Sequence, residues 1–562
     1  MKKVTLSVAA LFCGAIMVAQ NTNNVTQNGT GNGAMVSQTG NLNESDIYQR
    51  GNGNDADVTQ DGTENDANVQ QGDSRTSSAN SNNNDATIDQ VGTRNVANTT
   101  TIGNNNTVTQ EQDGTDNVAN ANQGRVLQIF PGFFQVTKST NNEIDQDQEG
   151  NDNEANATQG GGGFFGGGSG NLITQDQIGD FNVANAFQET GASNNEITQT
   201  QVGYGNDALA RQGSGGGIQT FSNEITQTQN GDFNRVEARQ LITTKNSTAT
   251  QTQTGNDNIG LSRQQGDNNT VTQDQNGDLN NANADQDGTF AGTSFDNVIT
   301  QTQNGDGNNA FSDQKGATNT STENQMGNDN HSSVTQTGNG NESMVAQTEI
   351  NNNSILTQLG NDNDSDISQN GNSNFNFITQ RNNRNISSIE QVGDFNNSKT
   401  FQGFPNGGSD NMSTTMQTGN SNLANTAQSG NFNVTSHQQT GNENDFDVDQ
   451  NGDQNSSTGN QVGNLNTSEL DQAGNLNTAI SFQNGDSNFT NTSQSGDENQ
   501  SNTNQVGNLN MSEVNQNGNL NDSMVMQNGI SNTSGVFQVG NNHTSNVNQM
   551  GNGNNSTVNQ GN

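Results

Sequence analysis

The chain has 562 residues, a formal net charge of −42, and only 25% hydrophobic and 13% charged residues. Typical soluble domains are roughly 45 to 50% apolar and about 25% charged, so this composition excludes an ordinary globular enzyme with a thick core. Asn, Gln, Gly, Ser and Thr replace the missing apolar residues, which is typical of a prion-like chain or a repeat protein. The negative charge also argues against nucleic acid as a partner.

The first residues have the pattern of an export signal. Lys2 and Lys3 precede an apolar run over residues 4–18, and the small residue Ala19 follows it. A basic start, an apolar stretch short for a bilayer and a small residue at its end are typical of a secretory signal peptide. We therefore expect residues 1–19 to be removed, leaving a secreted mature chain without a membrane span. Lipidation of Cys13, the only cysteine, is the competing interpretation.

Glutamine recurs every eleven residues over most of the chain, and one such unit is called an arm here. In the C-terminal part the series is unbroken: Gln417, Gln428, Gln439, Gln450, Gln461, Gln472, Gln483, Gln494, Gln505, Gln516, Gln527, Gln538, Gln549 and Gln560. Two residues after Gln stands a glycine, as at Gly463, Gly474, Gly485, Gly496, Gly507 and Gly518. Five residues after Gln stands an asparagine, as at Asn466, Asn477, Asn488, Asn510 and Asn521.

Each arm has the side-chain period of a β-strand. The specified positions from Asn to the next Gln fall on every second residue, which is the strand period and not the helical one. The remaining residues centre on Gly, which tolerates the positive φ of a tight turn, and they often include Asn or Asp, whose side chains bond to turn backbone. One arm therefore predicts one strand of about seven residues and one turn.

Longer arms show how many strands form a layer. The insertions, at about 125–141, 160–170, 213–222, 288–296 and 403–410, all fall at alternate turns. If two arms form one layer, every insertion emerges from the same edge. The sequence therefore predicts an all-β fold, a cross-β solenoid with strand-turn-strand-turn layers of about 22 residues, as a single unit over residues 20–562. Large Ile in one arm and small Ala in the next, as at Ile144 and Ala155, suit a narrow interior between two sheets.

The arm resembles the curlin repeat, the building unit of curli amyloid fibres on bacterial surfaces. Gln49, Gly51, Asn54, Ala56, Val58 and Gln60 match its pattern position by position. The resemblance implies a secreted structural protein that polymerises into extracellular fibres of a biofilm matrix, with roles in adhesion and cell aggregation. It also implies two partners besides the chain itself, a nucleator subunit and a curli-type outer-membrane secretion pore.

Stacked identical side chains explain the inward Gln and Asn. A buried amide left unpaired would cost about 1 to 3 kcal/mol, whereas like amides stacked at about 4.8 Å can bond to one another as a ladder. Only Gly561 and Asn562 follow the last arm, and the sequence has no evident capping segment at either end. We therefore expect head-to-tail self-association into a filament.

The remaining features predict no catalytic, cofactor or metal site. The outward acids are expected to keep the chain soluble, with calcium binding as the alternative. A candidate aromatic patch for lateral association lies in two insertions at one edge and consists of Phe133, Phe134, Phe164 and Phe165. An alternative function is a monomeric secreted solenoid, ice-binding or adhesin-like, with a flat face of Thr and Asp. The Thr pairs that suggest it are Thr198 with Thr200, Thr226 with Thr228, Thr250 with Thr252, and Thr300 with Thr302.

Overall fold

The computed structural model describes residues 20–131, 133–160, 168–189, 191–213, 220–286, 294–403 and 407–561. Strands make up 69% of the structure and form a parallel β-solenoid of about 23 turns. Each turn, called a coil below, contributes one strand to sheet A and one to sheet B. The predicted fold class, an all-β solenoid with two strands per layer, is confirmed. The predicted signal peptide, residues 1–19, lies outside the described residues.

The strands follow the arms closely. Sheet A contains Thr22–Thr30, Glu44–Asn52, Asp66–Gln71, Ser81–Asn82, Val96–Thr101, Gly103–Asn104, Val118–Gln123, Ser139–Thr140, Glu154–Gln159, Val183–Gln188, Asp207–Gln212, Arg235–Lys245, Ile259–Asp267, Asn281–Gln286, Asn309–Ala317, His331–Asn339, Asn353–Leu359, Phe375–Arg381, Asn397–Gln402, Leu423–Ser429, Asp445–Asn451, Thr467–Ala473, Phe489–Ser495, Met511–Asn517, Thr533–Val539 and Asn555–Gly561. Sheet B contains Met35–Asn41, Asp55–Thr63, Asp85–Thr93, Thr107–Thr115, Glu143–Asn151, Leu172–Asp180, Glu196–Tyr204, Glu224–Asn230, Thr248–Thr254, Thr270–Asn276, Val298–Asn304, Thr320–Asn328, Glu342–Ile350, Asp364–Asn370, Ile386–Val392, Met412–Thr418, Val434–Thr440, Ser456–Val462, Thr478–Asn484, Gln500–Val506, Asp522–Asn528 and Thr544–Met550. An antiparallel hairpin, Arg125–Phe130 with Phe133–Thr137, and a 3₁₀ helix, Ser77–Ala79, complete the described elements. In this described part of the chain, no helix has the length and apolar character needed to cross a bilayer.

The pairing register places like residues over like residues. In sheet A, Gln472 pairs with Gln494, and in sheet B, Gln461 pairs with Gln483. Both steps are 22 residues, because the arm eleven residues away lies in the other sheet. The repeat therefore converts a sequence period of eleven into a stacking period of two arms.

Every second side chain of a strand points into a thin interior. In Thr467–Ala473 the buried residues are Ser468, Leu470 and Gln472, and their neighbours face solvent. Apolar residues form clusters along the axis instead of one thick core. The largest of these clusters alternates Ile and Ala across the two sheets, with Ile144, Ile173 and Ile197 against Ala157 and Ala186. Large side chains thus face small ones, as two closely spaced sheets require.

The turns need glycine for two separate reasons. Gly463 has φ +118, and a Cβ at this position would lie 2.1 Å from the carbonyl oxygen of Gly485 in the next coil. Both the backbone conformation and the close contact exclude larger residues. Two residues later, the non-glycine residue Leu465 takes the left-handed conformation at φ 59 and leaves its side chain 54% exposed. The second position was not predicted from the sequence.

All the long connections lead from a sheet A strand to a sheet B strand. The five expected insertions follow the sheet A strands that end at Gln123, Gln159, Gln212, Gln286 and Gln402, although part of each insertion lies outside the described residues. A further insertion at residues 72–80, which contains the 3₁₀ helix, follows Gln71 at the same edge. This insertion was not in the predicted set.

Candidate assembly interface

Over the unbroken series, the repeat glutamines form one continuous row of side-chain hydrogen bonds in each sheet. Nε2 of Gln472 donates to Oε1 of Gln494 at 2.9 Å, and Gln494 donates to Gln516 at 2.9 Å. The sheet A row of the unbroken series is Gln428, Gln450, Gln472, Gln494, Gln516, Gln538 and Gln560. The sheet B row is Gln417, Gln439, Gln461, Gln483, Gln505, Gln527 and Gln549.

The second amide proton of each glutamine reaches the opposite sheet. Nε2 of Gln472 donates to the carbonyl oxygen of Ser456 at 3.0 Å, and Nε2 of Gln483 donates to that of Thr467 at 2.8 Å. Because Oε1 accepts a bond from the preceding coil, both N–H groups and the carbonyl of Gln472 and of Gln483 have partners. One side chain therefore connects neighbouring coils and also joins the two sheets.

The repeat asparagines form a second kind of row beside the turns. Nδ2 of Asn466 donates to Oδ1 of Asn444 at 3.1 Å and to the carbonyl oxygen of Gly485 at 2.8 Å. The backbone N–H of Asn466 also donates to Oδ1 of Asn444. Asn477, Asn488, Asn510 and Asn521 repeat this arrangement. The turn carbonyls of Gly463, Gly474, Gly485, Gly496 and Gly507 accept these bonds, and Gly518 shares their positive φ.

The two kinds of row have opposite polarity. In the unbroken series each Gln side-chain amide donates to the Gln 22 residues later, whereas the Asn side-chain amides that bond within their row donate to the Asn 22 residues earlier, as Gln472 and Asn466 show. At the corners, Oδ1 of Asp486 accepts the backbone N–H of Asn464 at 2.9 Å. The sequence suggested that such Asx bonds close a turn internally, but these bonds run between coils. Every coil junction is therefore specified by side chains as well as by backbone pairing.

A further glutamine row exists only in the N-terminal part of sheet B. It runs through Gln110, Gln146, Gln175, Gln199, Gln227, Gln251, Gln273 and Gln301. Gln301 then faces Glu323 at 3.4 Å, and the next residue in the row is Val345. Each glutamine of the row donates its amide N–H to the next residue along the chain. The carboxyl of Glu323 can therefore accept the last of these bonds and end the row without leaving a donor unpaired.

Glu323 is a buried carboxyl in this interior. Complete burial raises its pKa to about 8, although the neighbouring Ser332, Gln301 and Ser321 act in the opposite direction. At neutral pH the group is therefore mostly protonated. Glu323 was not predicted from the sequence to be a buried ionisable residue. Glu323 lies two residues before the inward Gln325, so the alternation of inward and outward residues already indicated that its side chain is inward.

His437 lies in the same inward row of sheet B, further along the chain. Its ring is fully buried against Phe446, with ring centroids 4.1 Å apart, and neither ring nitrogen has a hydrogen-bond partner among the residues that the structure describes. Burial lowers its pKa to about 3. A Cβ at its neighbour Gly459 would lie 1.7 Å from the Phe446 ring, so this glycine makes room for the aromatic side chain. A histidine in the interior was not predicted from the sequence.

The outer face of sheet B carries the predicted threonine pairs in register. Thr198 and Thr200 pair with Thr226 and Thr228, which are followed by Thr250 and Thr252. Asp274 interrupts the second row before Thr302. On the same face four carboxylates stack in consecutive strands, at Asp89, Glu111, Asp147 and Asp176. Among the described residues no group of three or more His, Cys, Asp or Glu side chains could hold a metal ion.

The candidate aromatic patch is described only in part. Phe133 is 59% exposed on the hairpin, while Phe134 packs partly buried against the Ala79, Ile102 and Val126 cluster. Phe164 and Phe165 lie outside the described residues. The hairpin thus exposes Phe133 but uses Phe134 to hold itself against the solenoid edge.

Comparison with known families agrees with this geometry. The Curlin associated repeat family matches the chain at residues 43–72 and again at 441–474. The resemblance seen in the arms is therefore confirmed in two segments, one near the start of the described solenoid and one in its C-terminal part. No curated protein matches the chain.

Proposed function

Because the chain carries curlin repeats on a β-solenoid, we propose that it is a secreted, curli-like structural subunit. In this proposal the exported chain polymerises at the bacterial surface into extracellular fibres that support a biofilm matrix, adhesion and cell aggregation. A nucleator subunit and an outer-membrane secretion pore would be its partners. Curlin repeats are structural units, and the proposal gives the inward amides a structural role and no catalytic one.

The observation that carries the proposal is the repeated coil junction. Each junction uses the same Gln and Asn bonds over a 22-residue step, as between Gln472 and Gln494. A coil of a second copy offers the same groups at the same spacing. The contact that builds the solenoid within one chain is therefore also able to join two chains.

The polarity of the glutamine rows favours head-to-tail joining. In the last described coil, Gln549 and Gln560 use one amide proton on Thr533 and Thr544, and the other points onward along the row. In the first described coil, Gln27 and Gln38 donate to the next coil and present a carbonyl acceptor outward. Donors at one face thus meet acceptors at the other, whereas two equal faces would not match.

The experiment changes only the junction. Lysine at both Gln549 and Gln560 places two charges in the row at one face, and we expect fibre growth from preformed seeds to stop. Lysine at Thr557 and Asn559, outward positions of the same strand, is the matched control and should leave growth unchanged. Dye-detected growth of the Gln variant at the wild-type rate would overturn head-to-tail joining through the amide rows.

The threonine rows support a second candidate, a monomeric binding protein with a flat face. Their register over consecutive strands from Glu196–Tyr204 to Val298–Asn304 is the observation that favours it. Sedimentation of the purified mature chain separates the two proposals. A monodisperse monomer that persists at high concentration would favour the binding protein, and concentration-dependent growth would favour the fibre subunit.

A further inference from the structure

The outer face of sheet A divides along the solenoid axis into three blocks. The basic block contains Arg211, Arg235, Arg239 and Arg263 on three consecutive strands. The acidic block contains Asp445, Asp447, Asp449, Glu469 and Asp471 on two consecutive strands. Between them, the middle block contains the outward residues Phe311, Ile355, Phe375, Phe377 and Phe401. Basic, apolar and acidic residues therefore predominate in different parts of this face, although Asp207 and Glu237 lie among the arginines and Lys399 lies beside Phe401.

The basic block is unusual in so acidic a chain. The sequence contains 16 Lys and Arg residues, and none of them follows Lys399. Arg211, Arg239 and Arg263 stand in one row, each directly before a ladder glutamine. Arg211 forms an ion pair with Glu189, and Arg239 forms one with Glu237. Neighbouring acids therefore already position these two side chains, which remain 39% and 43% exposed.

The acidic block has no such partners. Among the described residues, none of its five carboxylates forms a salt bridge with Lys or Arg. Partial burial, followed by the charges of Asp445, Asp471, Glu469 and Asp449, raises the pKa of Asp447. Stacking like charges at strand spacing destabilises this surface unless positive charge approaches it.

The middle block adds apolar contact area. Its side chains are half-buried, and the rings of Phe377 and Phe401 lie 5.6 Å apart. Thr335, Thr357 and Thr379 fill the neighbouring outward row, so no charged residue of that row interrupts the face between Asp313 and Asp449. Such a flat, mixed apolar and hydroxyl surface suits packing of one sheet against another.

We propose that the outer face of sheet A binds the same face of a second copy of this chain in an antiparallel, face-to-face pair. Arg239 and Asp449 occupy the same row, because each directly precedes a ladder glutamine. A two-fold axis parallel to the strands keeps every residue in its row and reverses the order of the coils. The basic block of each copy then lies over the acidic block of the other, and the contact closes on itself.

The register of the pair follows from the positions of the blocks. The strand that carries Asp449 is the ninth sheet A strand after the one that carries Arg239. The two-fold axis therefore passes close to the strand Asn353–Leu359, where Thr357 approaches Thr357 of the second copy. Phe377 comes within about one coil spacing, ~4.8 Å, of Phe311 of the second copy.

The paired face is large enough for a stable dimer. It spans twelve sheet A strands from Asp207–Gln212 to Thr467–Ala473. With about 4.8 Å per strand and about 16 Å of outward strand width, each copy contributes about 900 Å². Stable protein interfaces bury about 800 Å² per partner.

Cross-linking tests the register directly. The variant Thr357→Cys, in the chain without residues 1–19, should give covalent dimers with a short bis-maleimide. The control Thr302→Cys, on the outer face of sheet B, should not. Mixing an Arg239→Cys copy with an Asp449→Cys copy should give cross-linked dimers in much higher yield than either copy alone. Equal yields for Thr357→Cys and Thr302→Cys would overturn the proposal.

Charge reversal tests the interaction that sets the direction. Arg211, Arg239 and Arg263 changed together to Glu should weaken dimerisation about tenfold or more in sedimentation at low salt. Mixing this variant with one carrying Asp449→Arg and Asp471→Arg should restore pairing, and unrestored pairing would contradict the inference. Both variants change outward residues only, so circular dichroism and dye-detected growth should match the wild type. Fibre width should fall to that of a single solenoid, whereas failure of head-to-tail joining would stop growth itself.

Discussion

Sheet B has two different interiors along its length. Strands such as Glu143–Asn151 carry two inward glutamines, Gln146 and Gln148, whereas Asp522–Asn528 carries one, Gln527, beside Ser523 and Val525. The glutamine next to the turn persists in both regions. The other is exchangeable, since Val345 continues its row after Glu323. The comparison indicates that the position beside the turn needs an amide, while the central position needs only suitable volume.

The reason lies in what each side chain can reach. Gln527 donates to Gln549 and to the carbonyl oxygen of Met511 on the opposite sheet, so its row fixes both the coil spacing and the distance between the sheets. The central Gln146 makes equivalent bonds to Gln175 and Ala155, but its neighbours Ala155 and Ala157 leave the space that a long side chain needs. Once Val and Ser occupy both strands, that space closes and the second amide is no longer required.

The largest effect is expected from introducing positive charge into the glutamine row beside the turn, which both regions share. Gln472, Gln483 and Gln494, all changed to Lys, place three ammonium groups in a dry interior, and we expect loss of the folded coils around them. Fibre growth should slow or stop in a dye-binding assay. Lysine at Ser493, Asn504 and Asn515, which directly precede ladder glutamines on the outward side, is the control and should grow normally. Wild-type growth of the inward variant would contradict the ladder.

Glu323, where the two interiors meet, should make stability depend on pH. The folded carboxyl keeps its proton to about pH 8, whereas an unfolded Glu titrates near 4.5. Stability is therefore highest below pH 4.5 and falls as the pH rises through about 8, by roughly 5 kcal/mol in total. Hydrogen exchange of residues 309–347 at pH 5 and pH 9 measures this loss. Glu323→Gln should remove the dependence, and Glu342→Gln, an exposed neighbour, should retain it.

His437 should give the opposite dependence within the single-glutamine region. Its folded pKa of about 3 lies below the ordinary 6.5, so the ring stays neutral in the interior. Stability is fully present above pH 6.5 and falls as the pH drops toward 3, by roughly 5 kcal/mol. His437→Val should reduce the fall of the unfolding free energy between pH 6.5 and pH 3, although the smaller side chain lowers stability at neutral pH. An unchanged fall over this range would show that the ring is not buried.

Turn glycines should matter equally in both regions. Gly463→Ala puts a Cβ against the carbonyl oxygen of Gly485 at φ +118, and we expect a loss of about 3 kcal/mol in unfolding free energy. Gly551→Ala is the matched control, because this glycine occupies the same turn position with φ +99 and the nearest atom to the new Cβ is Nδ2 of Asn554 at 3.8 Å. A loss as large at Gly551 as at Gly463 would mean that backbone conformation, not the contact between coils, decides the effect.

Buried serines of the single-glutamine region should be the most tolerant inward positions. Ser512 is buried and its hydroxyl has no hydrogen-bond partner among the described residues. Ser512→Ala should change the unfolding free energy by no more than about 1 kcal/mol, in the stabilising direction. The reverse change in the other region, Ala157→Ser, should destabilise by about 1 to 2 kcal/mol because it buries a new hydroxyl. Thermal unfolding of both variants measures the contrast.

The repeat alone predicted most of the fold. The period of eleven and its alternation determine strand positions, inward residues and the two-strand coil, because like residues must stack for the buried amides to pair. It did not predict Leu465 in the left-handed region, since a coil junction holds that conformation and local propensity does not favour it. The hydrogen bond from the backbone N–H of Asn464 to Oδ1 of Asp486 was not predicted for the same reason, because it joins residues 22 apart. Glu323 and His437 were overlooked because they are ionisable residues at inward positions, where the repeat predicts amides and small or apolar side chains.

A cryo-electron microscopy reconstruction of the aged mature chain tests the central claim most directly. The account predicts that Gln472 lies directly over Gln494 at about 4.8 Å, with Gln483 in the facing sheet, and that this stacking continues unbroken across the junction between chains. Stacking of Gln472 over Gln483, or a junction in which the glutamine rows do not meet, would contradict it.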